Sequence, residues 1–202
     1  MLTGKNNPKR RIKALRSFIA IKLPETAKSA LAGLQQELKK CGADIRWVKP
    51  ENIHLTLKFL GNIGDEIVDN ILKIIETICR RFRSFDLEIK GTGAFPSLRS
   101  PRVLWVGVNS NADVAALQNE IEAGMSSLGF ARENRKFTPH LTLGRFRSSQ
   151  GKGPLLEKIE LFKDRKYGLI DVGSVALMRS DLSPSGARHS VIAGISFGNS
   201  GS

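Results

Sequence analysis

The four residues His-Leu-Thr-Leu stand at 54–57 and again at 140–143, and the two copies hold two of the chain's three histidines. In a strand, successive side chains alternate faces. His54 and Thr56 therefore share one face, as do His140 and Thr142, while the leucines point into a core. Each copy presents an imidazole beside a hydroxyl. Two imidazoles can divide acid–base labour, because neighbouring charge pushes their pKa values apart. One then takes a proton from water and the other gives one to a leaving oxygen. A single strand histidine would be read as a packed, half-buried side chain. A second in the same frame points to catalysis. Neither copy has the companions of a Ser-His-Asp triad or of a metal centre at suitable spacing.

The fifth residue after each histidine differs: Phe59 in the first copy and Arg145 in the second. A guanidinium near two imidazoles and two hydroxyls makes a pocket for a tetrahedral oxyanion such as phosphate. Gly144 beside it would let a ligand approach closely. Phe59 has two readings, core packing first and stacking on a nucleobase second. Strand alternation places Lys58 on the face of His54 and Thr56, a further candidate for the same anion.

Residue patterns place these side chains on short strands between helices. Strands are expected at Leu15–Lys22, Ile45–Val48, Ile53–Leu60, Phe85–Lys90 and Val103–Val108, with closing strands at Ile170–Met178 and Ser190–Phe197. Helices are expected over Glu25–Lys40, which Pro24 opens, over Asp65–Arg81 with its wide isoleucine face, over Asp113–Leu128, and briefly over Leu155–Phe162. The second motif follows Pro139. The repeated order reads as a duplication, two similar α+β lobes with their motif strands facing each other. A basic flexible arm (1–15), one bilobal domain (16–197) and a disordered Gly/Ser tail (198–202) are the expected divisions.

The 202 residues carry a net charge of +13, and Lys5, Lys9, Arg10, Arg11, Lys13 and Arg16 open the chain without an acid. Such a field concentrates polyanions, nucleic acid above all. Cys41 and Cys79 stand apart from any pairing or ligand motif and are read as reduced thiols, Cys79 on an apolar helical face. No apolar run approaches the roughly 18 residues that span a bilayer, so no membrane role and a cytoplasmic location are expected.

The doubled His-x-Thr-x motif resembles that of the two-histidine (2H) phosphoesterase superfamily. Within it the chain resembles the RNA 2′,3′-cyclic phosphodiesterase family, historically called 2′-5′ RNA ligase. Further similar stretches are Arg16-Ser17-Phe18-Ile19-Ala20-Ile21, Trp47, Asn52, Gly93-Ala94-Phe95-Pro96, Leu104-Trp105-Val106-Gly107-Val108 and Phe137-Thr138-Pro139, so the likeness spans about residues 16–182. Members place Ser-x-Leu and then Gly-x-x-Tyr near the end. Ser180, Leu182 and Gly186 match, whereas His189 stands at the tyrosine's position. It is read as lying outside the acid–base pair.

The resemblance implies an α+β fold of two similar lobes, with antiparallel sheets and outer helices around a central cleft. It implies a monomer acting without metal or cofactor on RNA that ends in a 2′,3′-cyclic phosphate, tRNA fragments among them. The product would be a 2′-phosphate, with 2′-5′ ligation as the reverse reaction. His54 would be the proton donor, His140 the acceptor, and Thr56, Thr142 and Arg145 the phosphate ligands. Two alternatives remain beside this: a non-catalytic module of the same fold that binds RNA ends or nucleotides, and a 2′-5′ oligoadenylate phosphodiesterase.

Overall fold

The first strand shows how the residues build the sheet. In β1 (Leu15–Lys22), Ser17 to Ile21 are all buried, because the strand is covered on both faces. Ile19 and Ile21 join the main core, and Phe18 and Ala20 join a smaller cluster with Ala176 and Met178. The computed structural model describes residues 14–109, 111–183 and 186–198. Of the arm expected over 1–15, only 14 and 15 are described, and Leu15 begins β1; of the expected tail, only Gly198 is described.

After β1 come α1 (Glu25–Lys39), β2 (Ile45–Trp47), a 3-10 turn (Pro50–Asn52) and β3 (His54–Ile63). A second 3-10 turn (Asp65–Ile67) leads into α2 (Val68–Cys79), then β4 (Phe85–Phe95), β5 (Val103–Val108) and α3 (Ala112–Ser127). The chain continues through β6 (His140–Phe146), α4 (Lys152–Leu161), β7 (Lys166–Val172), β8 (Ser174–Ser183) and β9 (Gly186–Ser196). The isoleucine face of α2 is buried through Ile71, Ile75 and Ile78, with Cys79 beside them. Burial pushes the Cys79 thiol up to about 11, so it behaves as a small apolar group.

The strands form one antiparallel sheet in the order β7-β4-β5-β6-β3-β1-β8-β9, with β2 also on β6. It divides into halves of like design, β6-β5-β4-β7 and β3-β1-β8-β9, each with a motif strand innermost. The halves meet where β3 and β6 pair, at Leu55 and Leu141. Beyond that pair β2 takes the edge of β6, through Ile45↔Phe146, Arg46↔Arg145 and Trp47↔Gly144. The two motif strands must therefore diverge, and a cleft opens between them.

Helices complete each half by exchange. α2 and α4 cover the halves from which they emerge, against β8 and β9 and against β4 respectively. α1 leaves β1 but packs on β7, and α3 leaves β5 but packs on β3. Each lobe is thus covered partly by the other lobe's helix, which binds the two into one core cluster.

Two expected elements are corrected. The run Ile170–Met178 is not one strand. It is the end of β7 and the start of β8, which lie in opposite halves of the sheet, with Gly173 at the crossing between them. The apolar positions shift phase at Gly173, from Ile170 and Val172 to Val175 and Leu177, which marks the break. β4 runs on past Lys90 to Phe95, because a bulge after Ile89 absorbs Gly91 at φ 75° and pairing with β5 resumes at Thr92. Among the described residues no helix is long and apolar enough to cross a membrane.

Candidate active site

Simple alternation would put the residue four after each histidine on the cleft face and the fifth on the core face. Both motif strands break that rule at the same place. In β1–β3 pairing, Ile19 faces Lys58 and Ala20 faces Thr56, so Leu57 is an extra, bulged residue. In β5–β6 pairing, Leu104 faces Gly144 and Trp105 faces Thr142, so Leu143 is its counterpart. A bulge shifts the alternation by one. Two adjacent residues are buried in each copy, Leu57-Lys58 and Leu143-Gly144, and the fifth position swings to the cleft.

Phe59 is accordingly 70% exposed and lines the cleft, which overturns its reading as core packing. Arg145 is exposed in the same cleft. Lys58 turns the other way. Its Nζ meets Glu122 at 2.8 Å and donates to the Ala131 carbonyl at 2.9 Å, with a side chain only 4% exposed. It is not an anion ligand of the cleft. Gly144 is also buried, and a Cβ there would lie 2.4 Å from the Ile45 side chain. The glycine admits β2, not a ligand. The buried amide of Gln35 in α1 secures the same spot, donating to the carbonyls of Val48 at 2.7 Å and of the bulged Leu143 at 3.0 Å.

The two histidines are held alike. His54 Nδ1 lies 2.7 Å from the Asn52 carbonyl oxygen, and His140 Nδ1 lies 2.7 Å from that of Thr138. A carbonyl only accepts, so each Nδ1 carries the proton and, in the neutral ring, Nε2 keeps the free lone pair. Asn52 is itself anchored, its side-chain amide donating to the Ala187 carbonyl of β9 at 2.9 Å. Aromatic rings fix the imidazole planes: Phe18 stacks on His54 at 4.6 Å, and Phe95 meets His140 edge-on at 4.8 Å. His54, His140, Thr56, Thr142 and Arg145 all line one cleft of about 410 Å³. Among the described residues the cleft's cations are Arg16, Arg46, Lys49 and Arg145, and no carboxylate lines it.

His189 lies in this cleft as well, edge-on to His54 at 5.2 Å and to Phe18 at 5.1 Å. Among the described residues its buried Nδ1 has no hydrogen-bond partner. All three histidines thus converge, a fact no local pattern around residue 189 announces. Its register on β9, opposite Ser180, carries it there. Among the described residues no group of three His, Cys, Asp or Glu side chains is placed to hold a metal ion.

Burial pushes the His54 imidazole down to about 4, against its bond to Asn52, and the nearby His189 and His140 push the same way. Burial also lowers His140 against its bond to Thr138, with the Arg145 charge adding to the fall. In the free protein both imidazoles are therefore mostly neutral at pH 7. A reaction that needs one protonated and one neutral histidine should give a bell-shaped kcat/KM, which reports the free enzyme. Since both values lie under the ordinary 6.5, the maximum should fall below pH 6.5 and kcat/KM should drop as pH rises further. A bound phosphate favours the protonated forms, so kcat should decline at higher pH than kcat/KM does. A plateau in kcat/KM from about pH 6 to 9 would contradict this assignment of charge.

Comparison with known proteins agrees with the geometry. The family model described as LigT like Phosphoesterase matches twice, over residues 21–105 and 106–189. Each match carries one of the His-x-Thr strands, as a duplication requires. An RNA 2′,3′-cyclic phosphodiesterase of Methanothermobacter thermautotrophicus is 34% identical over 172 residues, covering 85% of this chain and 93% of that protein. One from Methanocaldococcus jannaschii is 35% identical over 178 residues, covering 88% and 98%. Among solved structures, a protein of Thermus thermophilus superposes with a TM-score of 0.80 at 26% identity, covering 93% of this chain and all of that one. Escherichia coli LigT complexed with 3′-AMP gives 0.73 at 25% identity, with 93% and 100% covered. With two copies of the family's unit on one continuous sheet and a histidine from each in a shared cleft, the chain belongs to the LigT-like phosphoesterase family.

Proposed function

We propose that this chain is an RNA 2′,3′-cyclic phosphodiesterase, opening the cyclic phosphate at an RNA or nucleotide end to a 2′-phosphate by metal-independent acid–base catalysis. The observation that carries the reading is the matched pair His54 and His140. Each has Nδ1 tied to the carbonyl two residues back, and both line one cleft whose charged residues, among those described, are all basic. Relatives named RNA 2′,3′-cyclic phosphodiesterase, and the E. coli LigT complex with 3′-AMP, support it.

His140 Nε2 takes a proton from water, and the water oxygen bonds to phosphorus. The bond from phosphorus to O3′ breaks, and His54 gives its proton to O3′. Charge gathers on the non-bridging oxygens, where Thr56, Thr142 and Arg145 hold it. The deep depression of His54 means that a donor role there depends on the substrate's negative charge to load the proton. With a 5′-hydroxyl in place of water, the same steps would bond its oxygen to phosphorus, break the bond to O3′ and leave a 2′-5′ linkage. Phe59, exposed at the cleft, would stack on the terminal base. RNA ends, including those of tRNA fragments, are the substrates, and the enzyme works as a cytoplasmic monomer.

The test is a short RNA ending in a 2′,3′-cyclic phosphate, incubated with the protein and excess chelator. Formation of the 2′-phosphate at a rate the chelator does not change is the expected result. Binding of the RNA with no ring opening would assign the cleft to a non-catalytic end-binding module instead.

A further inference from the structure

The cleft's two ends differ in chemistry. β3 and β6 run antiparallel through the pair Leu55↔Leu141, so the fifth residue after each histidine is carried in opposite directions. Phe59 marks one end and Arg145 the other. At the Arg145 end, β2 brings Arg46 directly opposite Arg145. Both are exposed, both line the cleft, and Lys49 follows at the start of the turn that leads into His54. Like charges directly opposite on a sheet repel. Among the described residues neither guanidinium has a hydrogen-bond or ion-pair partner, and Lys49 has none either.

This charge is not on a loose segment. β2 is seated against Gly144 through Ile45, and the Val48 carbonyl just after it is pinned by the Gln35 amide, so the backbone that carries Arg46 and Lys49 is held in place before any ligand arrives. A single reacting phosphate needs one guanidinium. The second guanidinium and the lysine exceed that requirement.

The ribose explains what they meet. The cyclic phosphate spans C2′ and C3′, the base leaves from C1′ beside C2′, and the 5′ oxygen leaves through C4′ beside C3′. Base and 5′ oxygen thus depart on opposite sides of the reacting edge. A cleft with Phe59 and the single cation Arg16 at one end, and Arg145, Arg46 and Lys49 gathered at the other, matches that division. We propose that Arg46, with Lys49 beside it, forms a second phosphate subsite that takes the 5′-phosphate of the terminal nucleotide. The inference rests on the proposed cyclic-phosphate chemistry. Its ligand is either the phosphodiester linking that nucleotide to an RNA chain or a free 5′-phosphate.

Binding tests it without turnover. Dissociation constants would be measured by calorimetry for adenosine 2′-monophosphate, adenosine 2′,5′-bisphosphate and the dinucleotide ApA carrying a terminal 2′-phosphate. The two-phosphate ligands should bind at least about tenfold more tightly than the monophosphate, as one extra charge-assisted contact supplies. In Arg46→Gln that ratio should fall to within about threefold of one. Arg80→Gln, which removes the same charge from an exposed site on the helix side, should keep it. Tight binding of both two-phosphate ligands assigns any 5′-phosphate to the subsite, and of the dinucleotide alone assigns the RNA diester. A wild-type ratio near one, or a ratio unchanged in Arg46→Gln, overturns the proposal. Failure of ring opening with the ratio intact would instead count against the phosphodiesterase reading alone.

Discussion

Replacing His54 or His140 by alanine should each lower kcat by about 10³-fold or more, and the double variant should be little worse than either. A positioned proton donor or acceptor is typically worth roughly 10²–10⁴ in rate, and groups that act in one step do not add when removed together. The folds should survive. The histidines sit on the cleft face, where their rings rest on Phe18 and Phe95, while the sheet is held by Leu55, Leu57, Leu141 and Leu143, all at most 3% exposed. Single-turnover rates and thermal melting would be measured side by side. A substrate with sulfur in place of O3′ then separates the roles, because a departing thiolate needs no proton. It should restore His54→Ala by tenfold or more over the oxygen substrate and leave His140→Ala impaired. Rescue of His140→Ala instead would exchange donor and acceptor. Losses below tenfold in both single variants would remove the pair from the chemistry.

Lys58→Met should lower stability by about 3–5 kcal/mol, the usual cost of removing one partner from a buried ion pair. For a chain of this size that is roughly 10 °C in Tm. The ammonium joins β3 to Glu122 of α3 and to the Ala131 carbonyl beyond it, and its loss strands a carboxylate whose side chain is 13% exposed. Adding Glu122→Leu to Lys58→Met should recover most of the loss, since an apolar pair of similar volume is often neutral or better than a buried ion pair. At room temperature kcat/KM should be unchanged in the stable double variant. An unaltered Tm with a tenfold fall in kcat/KM would return Lys58 to the anion site.

That contrast between Lys58 and Arg145 marks the limit of one-dimensional reading. Strand alternation placed His54, Thr56, His140 and Thr142 correctly, because all four precede the bulges at Leu57 and Leu143. Past the bulges the same rule inverts. It sent Lys58 to the cleft and left Phe59 to the core, and it offered Gly144 to a ligand when the neighbour is Ile45. A bulge is a mismatch between two strands, so neither strand's sequence carries it alone. At Gly173 the phase of the apolar residues shifts, from Ile170 and Val172 to Val175 and Leu177, but only the sheet order shows that the two pieces lie in opposite halves.

The repeated His-x-Thr motif, its strand periodicity and the basic balance of the chain were sufficient by themselves to indicate a duplicated α+β fold and to raise the proposal of a paired-imidazole chemistry directed at a phosphate. These are local matters, set by side-chain type and spacing of a few residues. Which helices cover which lobe, the arrival of His189 beside His54, the turning of Lys58 into the core and the facing of Arg46 on Arg145 were decided by tertiary structure. Each depends on pairing between segments far apart in the chain, where register and packing over many residues, and no local pattern, choose the neighbour.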